Sequence, residues 1–485
     1  MNWSPNGSEI YFDRYRAVPR GVYAISRFGG DERLVLEDAM APEALPDGSL
    51  LVVRMNKDGI SKLYHFWPES GRLETLDALF AGPVELCPPV RAFRDGKEAA
   101  FFGRTQEQDS ADSLPHLYVI DLTSGKTRRL APELDLRPRS SLSLFPIAMP
   151  PDDQSVYVDL GVGDLHRVIA IPRRGTGPIR TLLTLTSTPW FMDVDKDGSL
   201  YLDQGDYPLE VLRFSPSGGT PETLAGPLSA SRTAMLQLPD GRVVFGSVAA
   251  GRSRLKAARP GAEPVPFLAT KEEATGPACL LGGEEVAFLL GPPGHAVVAV
   301  ATIASGRIVR RLEGIPADQV TSLAASPDGK TLYYVASGTV WAISASGGKP
   351  RRIAPGNAVA PDPNGRDLIV QLVEKEGIRL SRVPVSGGVG QPIPLQSAAN
   401  VAETPIGASA VGKDGRVVLT IDPPDSWFYG EGVLDPRTGK IERILLNFTG
   451  DVLRPGWLDD GRILSSAWPL RATLWRFHPT ESGKQ

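Results

Sequence analysis

The chain has 485 residues, 52 of them Lys or Arg against 56 Asp or Glu, for a net charge of −4, and 41% of it is hydrophobic. A balance this small, with the basic residues dispersed, excludes a nucleic-acid binder built on a basic stripe. The hydrophobic content excludes a disordered chain, although 51 Gly and 44 Pro make it rich in turns.

Read from the N-terminus, one signal recurs. Trp3-Ser4-Pro5-Asn6-Gly7 precedes the β-type run Ile10-Tyr11-Phe12, then Val22-Tyr23-Ala24-Ile25 and the turn Gly29-Gly30. Leu45-Pro46-Asp47-Gly48 precedes Leu50-Leu51-Val52-Val53, and Phe93-Arg94-Asp95-Gly96 is followed by Leu117-Tyr118-Val119-Ile120 and Ser124-Gly125. The signal returns at Asp195-Lys196-Asp197-Gly198, Leu238-Pro239-Asp240-Gly241, Ser326-Pro327-Asp328-Gly329, Asp362-Pro363-Asn364-Gly365, Gly412-Lys413-Asp414-Gly415 and Leu458-Asp459-Asp460-Gly461. Degenerate copies at Pro150-Pro151-Asp152-Asp153 and Leu281-Gly282-Gly283 fill the gaps.

Asp-Gly and Asn-Gly accept the positive φ angles of tight hairpin turns, and a preceding Pro stiffens the approach. Each copy is therefore a hairpin, and the alternating runs around it are strands rather than helices. The eleven copies between Gly7 and Gly461 recur about every 45 residues, the spacing of four-stranded propeller blades. The expected fold is all-β: tandem β-propellers built from about eleven four-stranded blades.

Eleven blades exceed the roughly four to eight usual for one ring, so two rings are expected. A break before Pro189-Trp190 leaves four units in front and seven behind, whereas one near Ser229 gives five and six. The long stretch Pro132 to Pro150 favours the earlier break: a first propeller over 1–188, incomplete at its N-terminus, and a second over 189–485. Met1-Asn2 lead straight into a repeat, and Thr473-Leu474-Trp475-Arg476-Phe477 has the look of the third strand of a last blade. Either the termini combine their partial blades or the chain is a piece of something longer. No apolar run approaches the length of a membrane span, and no secretory leader opens the chain.

With their Ser-Pro-Asp-Gly turn, aromatic-containing second strand and Gly-Gly turn, the units resemble the WD-like repeats of TolB-type propellers; Ser326 to Arg351 is the clearest copy. The stretch Ala324 to Ala342 and Leu434-Asp435-Pro436-Arg437-Thr438-Gly439 are similar to the propeller region that follows the kinase and membrane segment of certain bacterial, especially acidobacterial, serine/threonine protein kinases. That resemblance implies a sensor or interaction region on the extracytoplasmic side of a membrane, whereas a chain standing alone is expected in the cytoplasm. No kinase motif and no Gly-x-Ser-x-Gly elbow is present, so the chain does not itself transfer phosphate by the kinase mechanism or carry a serine-hydrolase site of that type.

The sharpest site-like string is Asp193-Val194-Asp195-Lys196-Asp197-Gly198, whose carboxylates at alternate positions match the first half of a calcium loop. It also occupies the place of the repeated hairpin turn, which explains it without metal. Calcium is the single cofactor candidate; none other is expected. The five histidines, His65, His116, His166, His295 and His478, fall in five different units and are not expected to converge, and Cys87 and Cys279 are expected as buried, unbridged thiols. Loops between second and third strands carry aromatics and Arg, the residue types that anchor recognition: Tyr207, Trp427, Phe428, Tyr429, Trp468 and Arg471 are the candidate binding residues. The reading is a non-catalytic, monomeric module that holds a protein or small-molecule ligand on a propeller face, with no nucleic acid. The alternatives are a propeller-type metal-dependent lyase or lactonase and a TolB-like envelope scaffold.

Overall fold

The structure, a computed structural model, describes the chain outside residues 15–18, 56–60, 81–89, 106–115, 133, 135–145, 163–164, 187–188, 207, 229, 250–251, 293, 375–376, 397–399 and 479–485. The described residues form eleven antiparallel sheets, ten of four strands and one of three. Each copy of the repeated turn joins the first strand of a blade to its second. Ser4, Leu45, Phe93, Leu238, Ser326, Asp362 and Leu458 each open such a turn, their carbonyls accepting the amide of Gly7, Gly48, Gly96, Gly241, Gly329, Gly365 and Gly461 at 2.8–3.1 Å. The turn aspartates fix the loop from within: Asp47, Asp95, Asp240, Asp328, Asp414 and Asp460 each accept the amide two residues on. The expected tandem propellers are thus what forms.

The chain divides into two compact units, one made of Met1–Asp206 with Arg471–Gln485, the other of Tyr207–Leu470. The first unit holds the blades Asn2–Glu37, Met40–Phe80, Val90–Arg129 and Ile147–Leu185, and a three-stranded fifth in which Met192–Val194 and Leu200–Asp206 are joined by Arg471–Phe477. The second holds Ala230–Pro266, Ala274–Leu312, Val320–Pro355, Ala358–Ile393 and Asn400–Ile444, and a closing blade in which Gly450–Trp457 and Ile463–Pro469 are joined by Leu209–Phe214 and Glu222–Leu228. Five and six blades result, rather than the four and seven of a break at 188/189. The physical reason is a strand exchange. The third strand expected to follow Leu200–Asp206 along the chain, Leu209–Phe214, pairs instead with Ile463–Pro469, and Arg471–Phe477 returns to pair with Leu200–Asp206. The partial blade at the C-terminal end therefore combines with Met192–Asp206, not with the N-terminal blade.

The core lies in the layers between neighbouring blades, and strand alternation feeds two layers at once. On Thr331–Ala336, Leu332, Tyr334 and Ala336 pack with Leu289, Val300 and Leu323 of one layer, while Tyr333 and Val335 pack with Val359, Leu368 and Val370 of the next. Five consecutive residues of that strand are buried, because both faces of a blade are covered. Removing one large side chain from such a layer forfeits about 2–5 kcal/mol.

Candidate functional site

The residue two positions before the one that opens each turn sits on the innermost strand and pairs with the second strand. In the first unit these residues are Asn2, Glu43, Arg91, Ala148 and Asp193, opposite Tyr11, Leu51, Ala100, Tyr157 and Tyr201. Four of the five are polar, and they meet. Asn2 Nδ2 donates to Glu43 Oε2, and the Ala92 amide donates to Glu43 Oε1 at 3.0 Å. The Arg91 guanidinium stands 3.6 Å from Glu43 and donates to Asp193 Oδ1 at 3.0 Å. Burial raises the Glu43 carboxyl above its ordinary value despite the nearby guanidinium, and Glu43 in turn raises Arg91. One cation between two carboxylates is a brace that ties three blades together.

The same position in the second unit carries Leu236, Cys279, Ala324, Ala360, Ala410 and Gly456, all small or apolar. With no charged side chains at that position, this unit holds a cavity of about 560 Å³. Its wall comes from the inner strands, with Ala278, Ser322 and Gly456 among its residues, and it runs on between the closing blade and Ala230–Pro266, where Leu209, Phe245 and Trp468 face it. The inner strands are bulged at Met235, Cys279, Ser322 and Gly456, where the pairing register shifts, and bulges re-aim side chains at such rims. In the last of these Arg454, a cavity residue, takes φ +59°, held by its amide donating to Thr420 Oγ1 at 3.0 Å. A non-Gly residue in that conformation stores strain of a size seen at binding sites. The wall also includes Trp457, whose buried indole N–H finds no acceptor among the described residues.

Of the candidate binding residues, Tyr207 lies outside the described residues. Trp427, 73% exposed, Phe428 and Tyr429 follow the strand Val417–Asp422 in the second unit. The Tyr429 amide donates to Asp451 Oδ1 at 2.9 Å, and Asp451 pairs across the sheet with Trp468, a residue of the cavity wall. Arg471 belongs to the other unit. Asp193, Asp195 and Asp197 do not converge. Asp193 turns to Arg91, Asp195 accepts the Lys196 amide, and Asp197 accepts the Ser199 amide and a hydrogen bond from Arg476 at 2.7 Å. Hydrogen bonds from Ser199 and the Arg476 charge hold the Asp197 carboxyl below its ordinary value. Among the described residues no group of three or more His, Cys, Asp or Glu is placed to hold a metal ion.

The histidines serve local networks. His65 meets Ser49 Oγ at 2.7 Å, His166 meets Asp159 at 2.7 Å, and His478 meets Ser199 Oγ at 3.0 Å. Burial lowers His65. Cys279 is buried and unbridged, its thiol pushed up to about 12 by burial, while Cys87 lies outside the described residues. Sequence reasoning missed Glu43, Arg91 and the contrast between the units. The signal was present at a fixed offset from each turn, where one half of the repeats carries charge and the other does not.

The chain is a tandem β-propeller. No family model and no curated protein matches it. Solved structures similar to it include a protein described as a TolB from Agrobacterium tumefaciens, 15% identical, covering 54% of this chain and 99% of that one at a TM-score of 0.42. The extracellular domain of a hybrid two-component system from B. thetaiotaomicron is 11% identical, covering 96% and 74% at 0.33. A GH74 enzyme from Niastella koreensis is 10% identical, covering 97% and 73% at 0.35. At such identities and scores these likenesses carry no argument about activity. Among the described residues no helix is long and apolar enough to cross a membrane.

Proposed function

We propose that the chain is a non-catalytic recognition module in which the second propeller holds a small-molecule ligand or a segment of a partner protein in its cavity. The observation that carries this reading is the 560 Å³ space whose wall includes the uncharged Leu236, Cys279 and Gly456 at the position where the first unit carries the paired Glu43 and Arg91. The volume falls within the range of ligand pockets, and Arg454, Trp457, Gln237, Ser322 and Ser409 set polar groups among apolar ones in a mixed wall. Trp468 in that wall supplies an aromatic anchor, and the Trp427–Tyr429 loop is hydrogen-bonded to its cross-strand partner Asp451. The resemblance of Ala324 to Ala342 and Leu434 to Gly439 to kinase-linked propellers supports a sensor role attached to a bacterial receptor-type kinase.

The test is a thermal-shift screen of peptides and small organic molecules, repeated on Ala278→Trp, which fills the cavity wall. A ligand that raises the melting temperature of the wild-type protein and loses that effect in Ala278→Trp supports the reading. A ligand that binds both proteins alike refutes it.

A further inference from the structure

The cavity of the second propeller reaches beyond the middle of the ring. Most of its described wall comes from the innermost strands and the segments that continue them, but six residues stand further out: Leu464, Ser466 and Trp468 on the second strand of the closing blade, Leu209 and Val211 on its third, and Phe245 on the second strand of Ala230–Pro266. All six border one seam, the layer between the closing blade and Ala230–Pro266. Neighbouring strands lie about 4.8 Å apart, so a wall that includes the third strand carries the space about 10 Å outward from the innermost one. Strand alternation sets the lining of this arm. Val211 and Leu464 join Val243 and Phe245 in one apolar layer, while their chain neighbours Leu212 and Ile463 turn to the opposite layer with Val418 and Val433. Leu209, Val211, Phe245 and Leu464 are buried, and the Ser466 hydroxyl already donates to the Leu453 carbonyl at 2.8 Å. A space so lined offers water few partners, and apolar cavities of this kind stay dry and take up hydrocarbon.

We propose, building on the reading of the cavity as a ligand site, that its ligand is a small amphiphile whose hydrocarbon part lies in this arm and whose hydrogen-bonding head stays in the channel. The two ends of the space differ as such a molecule requires. Gln237, Ser322 and Ser409 bring polar side chains to the channel from three blades, whereas Leu, Val and aromatic side chains enclose the arm. The acids of the wall, Asp459 and Asp460, sit in the turn after the innermost strand and are paired with Lys413 at 3.0 Å and Arg462 at 2.6 Å, so neither draws a cation into the arm. The seam is also where this ring closes. The closing blade is assembled from Leu209–Phe214 and Glu222–Leu228 with Gly450–Trp457 and Ile463–Pro469, and a molecule in the arm touches both parts of it together with Phe245 of the next blade. Binding there stabilises the closed ring by mass action.

The test is isothermal titration calorimetry of the full chain with straight-chain primary alcohols from butanol to decanol, the hydroxyl serving as head and the chain as a ruler for the arm. Affinity should rise roughly fourfold with each added methylene and level off once the arm is full. Val211→Phe, which fills the arm, should keep the affinity for butanol and lose the gain with chain length. Leu209→Phe should do the same, and it carries the test if circular dichroism shows that Val211→Phe does not fold. No binding of any alcohol, an affinity independent of chain length, or a gain that survives both substitutions overturns the proposal. Ala278→Trp separates this failure from that of the cavity reading. Alcohols that bind without a chain-length gain and are lost in Ala278→Trp overturn the arm alone and keep the channel as a site. Alcohols that bind Ala278→Trp as they bind the wild-type protein overturn the channel as the seat of the head, and with it the reading on which the proposal rests.

Discussion

Glu431 offers the sharpest test of how the second propeller is packed. Its side chain is fully buried on the strand Gly430–Leu434, its Oε1 accepts from Ser465 Oγ at 3.1 Å, its Oε2 has no hydrogen-bond partner among the described residues, and burial pushes its carboxyl well above 4.5. The fold therefore favours the neutral acid. Below pH 4.5 the group is protonated in folded and unfolded chains alike, so its titration costs nothing. As pH rises past 4.5 the unfolded chain loses the proton and the folded one keeps it. Stability then falls by about 1.4 kcal/mol per pH unit until the pH reaches the folded pKa. Glu431→Gln keeps the shape and the acceptor for Ser465 but cannot ionise. Its melting temperature should match the wild-type value near pH 4 and exceed it increasingly at higher pH, by roughly 3 °C per pH unit for a unit of this size. Calorimetry from pH 4 to 8 on both proteins is the assay. Two parallel curves refute the reasoning, since they show that the carboxyl is charged, or wet, in the fold.

Three further outcomes are expected. Arg91→Met leaves Glu43 buried without its cation and should destabilise the first unit by about 3–5 kcal/mol, with most of the loss regained in Arg91→Met/Glu43→Gln, as read by chemical denaturation. Gly329→Ala should cost more than Gly241→Ala. Both glycines have positive φ, at about 1–2 kcal/mol for an L residue, but a Cβ at Gly329 falls 2.4 Å from the Gly282 amide, while one at Gly241 meets nothing within 4 Å. Equal melting temperatures for the two variants contradict the close approach of those turns. Millimolar calcium should leave the melting of the wild-type chain unchanged, because Asp193 and Asp197 are engaged with Arg91 and Arg476; a rise of several degrees shows that the three carboxylates can regroup around the ion.

The blades themselves were legible residue by residue, because their determinants are local. A positive φ at Gly241 or Gly329 and an Asp accepting the amide two residues on need only a few adjacent residues, and the alternation in Leu332-Tyr333-Tyr334-Val335 fixes which side chains face which neighbour. The charged brace in the first unit was legible in principle, since Glu43, Arg91 and Asp193 stand at one offset from their turns. What brings them together is the arrangement of blades, which no single repeat encodes.

By itself, then, the sequence determined eleven hairpin-based blades and an all-β fold, since turn and alternation are properties of short segments. Only the tertiary structure decided which strands complete which blade. Leu209–Phe214 and Arg471–Phe477 are both third strands of similar length, six and seven residues, and backbone pairing scarcely distinguishes them. The choice falls to closure: Leu209–Phe214 with Glu222–Leu228 completes the sixth blade of the second unit, and Arg471–Phe477 joins the fifth blade of the first. The boundary between the two units follows from that long-range exchange.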